Sequence, residues 1–253
     1  MGINKNTEEQ RKGRSIILAL LLLSSIIVIN TLIGYAAIPE GPSITYVSNT
    51  TRIVENATLR EDDEKGTITT INLDSLQQNQ RWKAYVGNVS GKLTLMDADG
   101  YAIYDWTLNN VFSGNVFASR NGTINWGNLD CATSGQITTE TTFLNHIPGA
   151  DDTINATFNS TDHASFFAAD ISHSGCFYTP TYVNGTPQSQ NSTARFQQML
   201  LADNVSNSIV YTTRIENSQM GYNPDYTFDF QLIVPESGTI GVNVDYFFYI
   251  ELQ

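Results

Sequence analysis

Positive charge is scarce in this chain, and what there is crowds toward one end. Thirteen Lys and Arg stand against 25 Asp and Glu, and four of the thirteen, Lys5, Arg11, Lys12 and Arg14, fall in the first 14 positions. Beyond them 9 basic residues face 23 acidic ones, a net charge of about −14. Nucleic acid and anionic lipid headgroups both need a basic face, so neither is expected as a partner. Histidine is rarer still: His146, His163 and His173 are the only three, and no H-E-x-x-H spacing joins any two. The chain also lacks a G-x-S-x-G elbow, a phosphate-cradling loop and a dinucleotide fingerprint. No catalytic residue, cofactor or metal site is expected. Beyond residue 37 there is no convincing amphipathic helix, no repeat and no low-complexity tract.

Cysteine is limited to Cys131 and Cys176. Two cysteines 45 positions apart form no metal site by themselves but suit one disulfide of an exported protein. Closing that loop would stabilise the fold by about 3–4 kcal/mol through lost entropy of the unfolded chain.

What the sequence has in abundance begins at its front. Residues 1–14 form a basic flank, and "SIILALLLLSSIIVINTLIGYAA" follows at 15–37 without a charge between Arg14 and Glu40. A charged flank, an apolar run and small residues before a polar chain make a secretory signal, with cleavage fitting after Ala36. The run 16–33 is 18 residues, about 27 Å as a helix, which also suits a retained membrane anchor. Both readings keep the flank in the cytoplasm and send residues 38–253 outside. The protein is expected to be anchored in the cell membrane by that helix or secreted.

Asn-x-Ser/Thr triplets carry meaning in that compartment. Nine occur, at Asn49, Asn56, Asn88, Asn121, Asn155, Asn159, Asn184, Asn191 and Asn204, all beyond residue 48. "NATFNST" holds two in seven residues. It sits in "PGADDTINATFNSTDH", dense in turn formers, and is expected on an exposed or edge segment. On one strand a spacing of four would put both acceptors on the same face.

Period-two alternation dominates the remainder. "VNVDYFFYIEL" places Val242, Val244, Tyr246, Phe248, Ile250 and Leu252 on one face, and Phe247 and Tyr249 on the other suggest a central strand covered on both sides. "YTFDFQLIV" aligns Tyr226, Phe228, Phe230, Leu232 and Val234. "SIVYTTRI" aligns Ile209, Tyr211, Thr213 and Ile215. "GKLTLMDADGYAIYDW" reads as a hairpin with its turn at Asp97-Ala98-Asp99-Gly100, where Gly100 supplies a positive φ and the aspartates bond nearby amides. Many short strands with 12 Tyr and 12 Phe indicate an all-β fold: one β-sandwich, jelly-roll or Ig-like, over 67–253, preceded by the N-terminal signal or transmembrane helix. Residues 38–66 are acidic enough for a spacer, though "SITYV" inside them would serve as an edge strand.

The chemistry-bearing clusters read as structural. "DADG" opens like a calcium loop, but the further acidic ligands and closing Glu are absent, so Asp97 and Asp99 are turn residues. Asp151 and Asp152 read the same way. Asp162, His163, Asp170 and His173 fall within twelve residues, imaginable as zinc ligands or a His–Asp pair, but a hydrogen-bonding role is favoured for the histidines. Trp106 looks like core. Trp82 begins a strand and Trp126 lies in a turn-rich stretch, both read as packing residues before sugar platforms.

Taken together, "RWKAYVGNVSGKLTLMDADGYAIYDW", "FASRNGTINWGNLDCAT" and the aromatic C-terminal strand resemble those of exported archaeal proteins of unassigned function. The resemblance implies a secreted or membrane-tethered surface protein and carries over no functional residue. The function expected is therefore structural or adhesive, as a glycosylated surface protein and in one form a filament subunit donating residues 38–60 as a strand to the next copy. The alternatives are a module binding carbohydrate or another surface protein, and a secreted hydrolase using unrecognised carboxylates.

Overall fold

The computed structural model describes residues 39, 41–42, 44–46, 79–108, 111–181, 190 and 192–253. The basic flank, the apolar run 15–37, most of the spacer and Asn49, Asn56, Asn184 and Asn191 lie outside the described residues. Among the described residues no helix is long and apolar enough to cross a membrane. Over the described residues strand outweighs helix, 40% against 10%, and no barrel closes among them, an all-β fold.

Four strands come first: β1 (Trp82–Gly87), β2 (Gly91–Met96), β3 (Ala102–Leu108) and β4 (Gly114–Ser119). A 3-10 turn at Trp126–Asn128 leads into β5 (Leu129–Cys131), and two helices follow, α1 (Ser134–Phe143) and α2 (Ile154–Thr157). Then come β6 (Phe166–Ala168), β7 (Ile171–His173), β8 (Tyr178–Pro180), β9 (Gln197–Asp203) and β10 (Ser208–Arg214). The last are β11 (Gln219–Met220), β12 (Thr227–Phe228), β13 (Phe230–Pro235) and β14 (Phe247–Leu252).

The six-stranded sheet is antiparallel and runs β14-β4-β10-β9-β5, with β8 also pairing β9. Every residue of β4 and β9 is buried, which requires cover on both faces. Alternation divides the side chains accordingly. Ala118, Leu200, Ala202, Ile209 and Tyr211 pack on one side with Leu232, Val234, Ile137, Leu144 and Phe158. Phe117, Met199, Leu201 and Val210 pack on the other with Phe166, Ala168 and Tyr178.

The first face is covered by a β1–β13 ladder in which Tyr85 stands opposite Leu232. Gln198, fully buried in β9, joins the two layers: its Nε2 donates to the Ile233 carbonyl (2.6 Å) and its Oε1 accepts from the Ile233 amide (2.8 Å). The side-chain amide imitates a neighbouring strand, so both backbone groups of Ile233 are satisfied without one.

Three expectations change. Among the described residues β14 lies at the edge of its sheet, not the centre, and begins only at Phe247; Val242 is exposed. "YTFDFQLIV" is broken into β12 and β13 by Asp229, whose carboxylate turns inward to accept from the Val89 amide (2.7 Å) and the Ser218 amide (2.9 Å). Tyr226, expected inward, is exposed. The third is α1, a helix in a stretch where none is expected. Its Thr133 side chain accepts from the Gln136 amide while the Gln136 side chain accepts from the Thr133 amide, a reciprocal capping box. Residues 44–46 of the proposed "SITYV" strand are exposed and join no ladder.

Candidate functional site

The β2–β3 hairpin is the one long element pair left without cover among the described residues. Its register sets Leu93 opposite Trp106 and Leu95 opposite Tyr104, which gathers all four on one face. Lys92, Thr94, Asp105 and Thr107 fall on the other, where Lys92 and Asp105 approach to 3.7 Å. Such a division into apolar and polar sides is the pattern of a sheet with one buried face. Yet Leu93 is 52% exposed, Leu95 50%, Tyr104 57% and Trp106 48%. Trp106, expected in the core, therefore stands on an open surface with Tyr104 set edge-on to it at 4.8 Å. A bulge between Leu95 and Met96 turns the tip, where Met96, Tyr101 and Ile103 are exposed too.

The turn forms as the residues dictate. Gly100 takes φ +85°, and Asp97 Oδ1 accepts from the amides of Asp99 (3.0 Å) and Tyr101 (2.8 Å). Those aspartates are turn residues, as expected. The base is anchored by Leu108 against Val89, Val111, Val116 and Ile215, and Gly91 lies so close to Leu252 that a Cβ there would collide with it. A lone two-stranded hairpin has little stability in water, yet this one carries seven large exposed apolar side chains. At about 200 Å² per large side chain, the four on the apolar face present on the order of 400 Å². The largest apolar patch on an ordinary monomer is about 300–600 Å².

The other predicted residues lie elsewhere. Cys131 and Cys176 form the disulfide, linking β5 to the segment before β8. All three histidines are buried. His146 shares a hydrogen bond with the Glu236 carbonyl (2.7 Å). His163 pairs its Nδ1 with the Ala164 carbonyl (2.8 Å), while its Nε2 accepts from the Cys176 amide (2.8 Å). That pattern defines a neutral ring, and desolvation holds its pKa below the usual 6.5. His173 is also lowered, chiefly by desolvation. Asp162 and Asp170 are exposed. Asp152 holds Arg81 (2.7 Å) and takes the Trp82 Nε1–H on its backbone carbonyl (2.8 Å). Trp126 packs between Phe117 and Tyr249, each at 5.1 Å. Trp82 and Trp126 are thus packing residues.

A polar recess of about 270 Å³ lies between Arg120, Asn121, Glu140 and Ser208. Glu140 grips the Arg120 guanidinium with both oxygens (2.7 and 2.5 Å), and the guanidinium also lies 3.7 Å over the Phe143 ring. Both groups are committed to each other, so the recess offers no carboxylate for acid–base work.

Of the described acceptors, Asn88, Asn155, Asn159 and Asn204 are exposed, and Asn121 is half-buried with its amide on Ser208 Oγ (3.1 Å). "NATFNST" is not an edge strand. Thr153 caps the one-turn helix α2, and Ile154 and Phe158 anchor it in the core at positions i and i+4, leaving Asn155 and Asn159 outside. No family model, curated protein or solved structure matches this chain.

Proposed function

We propose that this is an exported, glycosylated cell-surface protein with a structural role, assembling copy to copy through the apolar face of the β2–β3 hairpin. The observation that carries the reading is that face: Leu93, Leu95, Tyr104 and Trp106 side by side and open. Its aromatic content matches the centre of a protein interface, and its exposed area of roughly 400 Å² is a patch of the size that is often functional on a monomer. A second copy is the occupant that fits, since a two-fold axis through the face would pair it with itself and bury both at once.

Supporting the setting are the basic-then-apolar leader, the nine acceptor triplets and the disulfide, which belong together outside the cytoplasm. The layering of the β1–β13 ladder on the six-stranded sheet is best read as a β-sandwich, delivered across the membrane by an N-terminal helix. The archaeal origin implied by the resemblance belongs to the same reading. A filament could add a further contact: among the described residues β14 pairs only with β4, and a Cβ on Gly41 would lie 3.9 Å from the Phe248 carbonyl oxygen. Residues 38–60 are suited to pair with the same edge of a neighbour.

The test is electron microscopy of cell-surface preparations carrying the wild-type chain or the Leu95→Glu, Trp106→Glu double variant. Ordered assemblies in the first and dispersed particles in the second are expected. Dispersed particles in both would defeat the proposal, and a glycan array that then lit up through Trp106 would favour a carbohydrate-binding module instead.

A further inference from the structure

The disulfide has a histidine at its back. Cys131 ends β5, Cys176 follows β7, and His173 is the last residue of β7. Cross-strand pairing with Phe166 sets the imidazole in place, its ring 5.4 Å from that of the phenylalanine. One nitrogen of His173 and the two sulfurs all lie within 4.8 Å of one another. His173 is 2% exposed, and its Nε2 has no hydrogen-bond partner. A buried polar atom in that condition costs about 1–3 kcal/mol. The ring is also hydrogen-bonded to the Ala168 backbone, the kind of outer contact that fixes the tautomer and aim of a metal-ligating histidine.

While the sulfurs are bonded to each other neither can act as a thiolate ligand. Reduction changes that. A phosphine or dithiol reductant supplies two electrons; the S–S bond breaks, and each sulfur takes one electron and one proton to become a thiol. A divalent ion then displaces both thiol protons and accepts three donors, two thiolates and one imidazole. We propose that Cys131, Cys176 and His173 form a metal site for a zinc-class ion, opened by reduction of the disulfide that otherwise closes it.

The donor set is the right chemistry for such an ion: soft sulfur and imidazole nitrogen, with Zn–S about 2.3 Å and Zn–N about 2.0–2.1 Å in a tetrahedron. Tetrahedral bonds of that length hold the ligand atoms roughly 3.5–3.8 Å apart, so the histidine nitrogen, within 4.8 Å of the sulfurs, has about 1 Å to close, while the two sulfurs, bonded to each other until reduction, must separate to about 3.8 Å. Cys131 is half-buried and Cys176 fully buried, which leaves solvent to fill the fourth position from the Cys131 side. Disulfide and metal are then alternative ways to tie β5 to the segment leading into β8. This inference does not depend on the hairpin or on assembly.

The probe is Co²⁺, added to the full-length protein before and after treatment with a phosphine reductant that is then removed. The reduced protein should bind one equivalent, with a thiolate-to-cobalt charge-transfer band and the visible bands of a tetrahedral site. Zn²⁺ should displace it, and the oxidised protein should give neither band. His173→Ala should weaken binding at least tenfold, and Cys131→Ser with Cys176→Ser should abolish it. Near-ultraviolet circular dichroism follows the fold throughout. No cobalt spectrum after reduction, equal binding by His173→Ala, equal binding by the oxidised protein, or a fold lost on reduction and not restored by metal would each overturn the proposal.

Discussion

Replacing Glu140 by Gln should destabilise the domain far more than a surface charge change does. Glu140 lies on α1 with only 6% of its surface exposed, and both carboxylate oxygens receive hydrogen bonds from Arg120 at the end of β4. Burial alone would lower the Arg120 pKa, yet the hydrogen bond and charge of Glu140 outweigh it and hold the guanidinium fully cationic. The amide removes that compensation and leaves a cation in a site it shares with Tyr211 and Tyr246. Breaking a buried pair on one side costs about 3–5 kcal/mol. Because a quarter of the Arg120 side chain reaches solvent, the lower end applies, about 2–3 kcal/mol after solvent screening. With a urea slope of about 2 kcal/mol/M, the unfolding midpoint should fall by roughly 1–1.5 M. The effect should persist in high salt, since a buried pair is poorly screened. Pairing the change with Arg120→Met should recover much of the loss. A midpoint moved by less than about 0.3 M would refute the reasoning and assign the pair to the surface class.

Gly114→Ala tests the backbone of the central sheet. Gly114 opens β4 at φ +138°, and a Cβ there would collide with the Glu251 carbonyl oxygen of β14. A loss of about 2–3 kcal/mol is expected, seen as a melting temperature roughly 5–10 °C lower; an unchanged melt would contradict the close approach. Acid sensitivity should begin near neutrality. His163 and His173 are neutral in the fold with pKa values held below the ordinary 6.5, so the unfolded chain binds their protons first. Their contribution is full above 6.5 and is lost as pH falls toward the folded values. Glu216, raised above 4.5 by desolvation, acts in the opposite sense, its contribution full below 4.5 and lost as pH rises. Thermal melts between pH 7 and 5 should therefore decline, and His163→Gln, which keeps an acceptor for the Cys176 amide, should flatten the decline. A flat wild-type profile would count against it.

The hairpin shows both how far the sequence reaches and where it stops. Alternating Leu93, Leu95, Tyr104 and Trp106 around "DADG" predict two strands and their turn, and the register follows. Alternation states that a face is apolar, though, not that the same chain covers it. Alternation therefore reads Trp106 as core, and only the long-range packing reveals it as exposed. Helix α1 was hidden by its composition. Five of its ten residues are Ser or Thr, and Thr138, Thr139, Thr141 and Thr142 each return a hydroxyl to the carbonyl four residues back. The legible signal was the Thr133-x-x-Gln136 box with Ile137 and Leu144 behind it. Asp229 broke a strand that periodicity ran straight through, because a buried carboxylate serving two amides is a tertiary event. The histidine–disulfide cluster was out of reach for a similar reason: β5, the end of β7 and the segment before β8 meet only once β9 has paired with both β5 and β8. The disulfide itself is legible, since the sequence holds only these two cysteines.

Whether copies of this chain meet through the β2–β3 hairpin is the central question. Sedimentation velocity of the full-length protein in detergent, across a range of concentrations and beside Trp106→Glu, addresses that point directly. The wild type should shift to faster species as concentration rises, while the variant stays at the monomer value at every concentration. Identical monomer sedimentation of both would contradict the account.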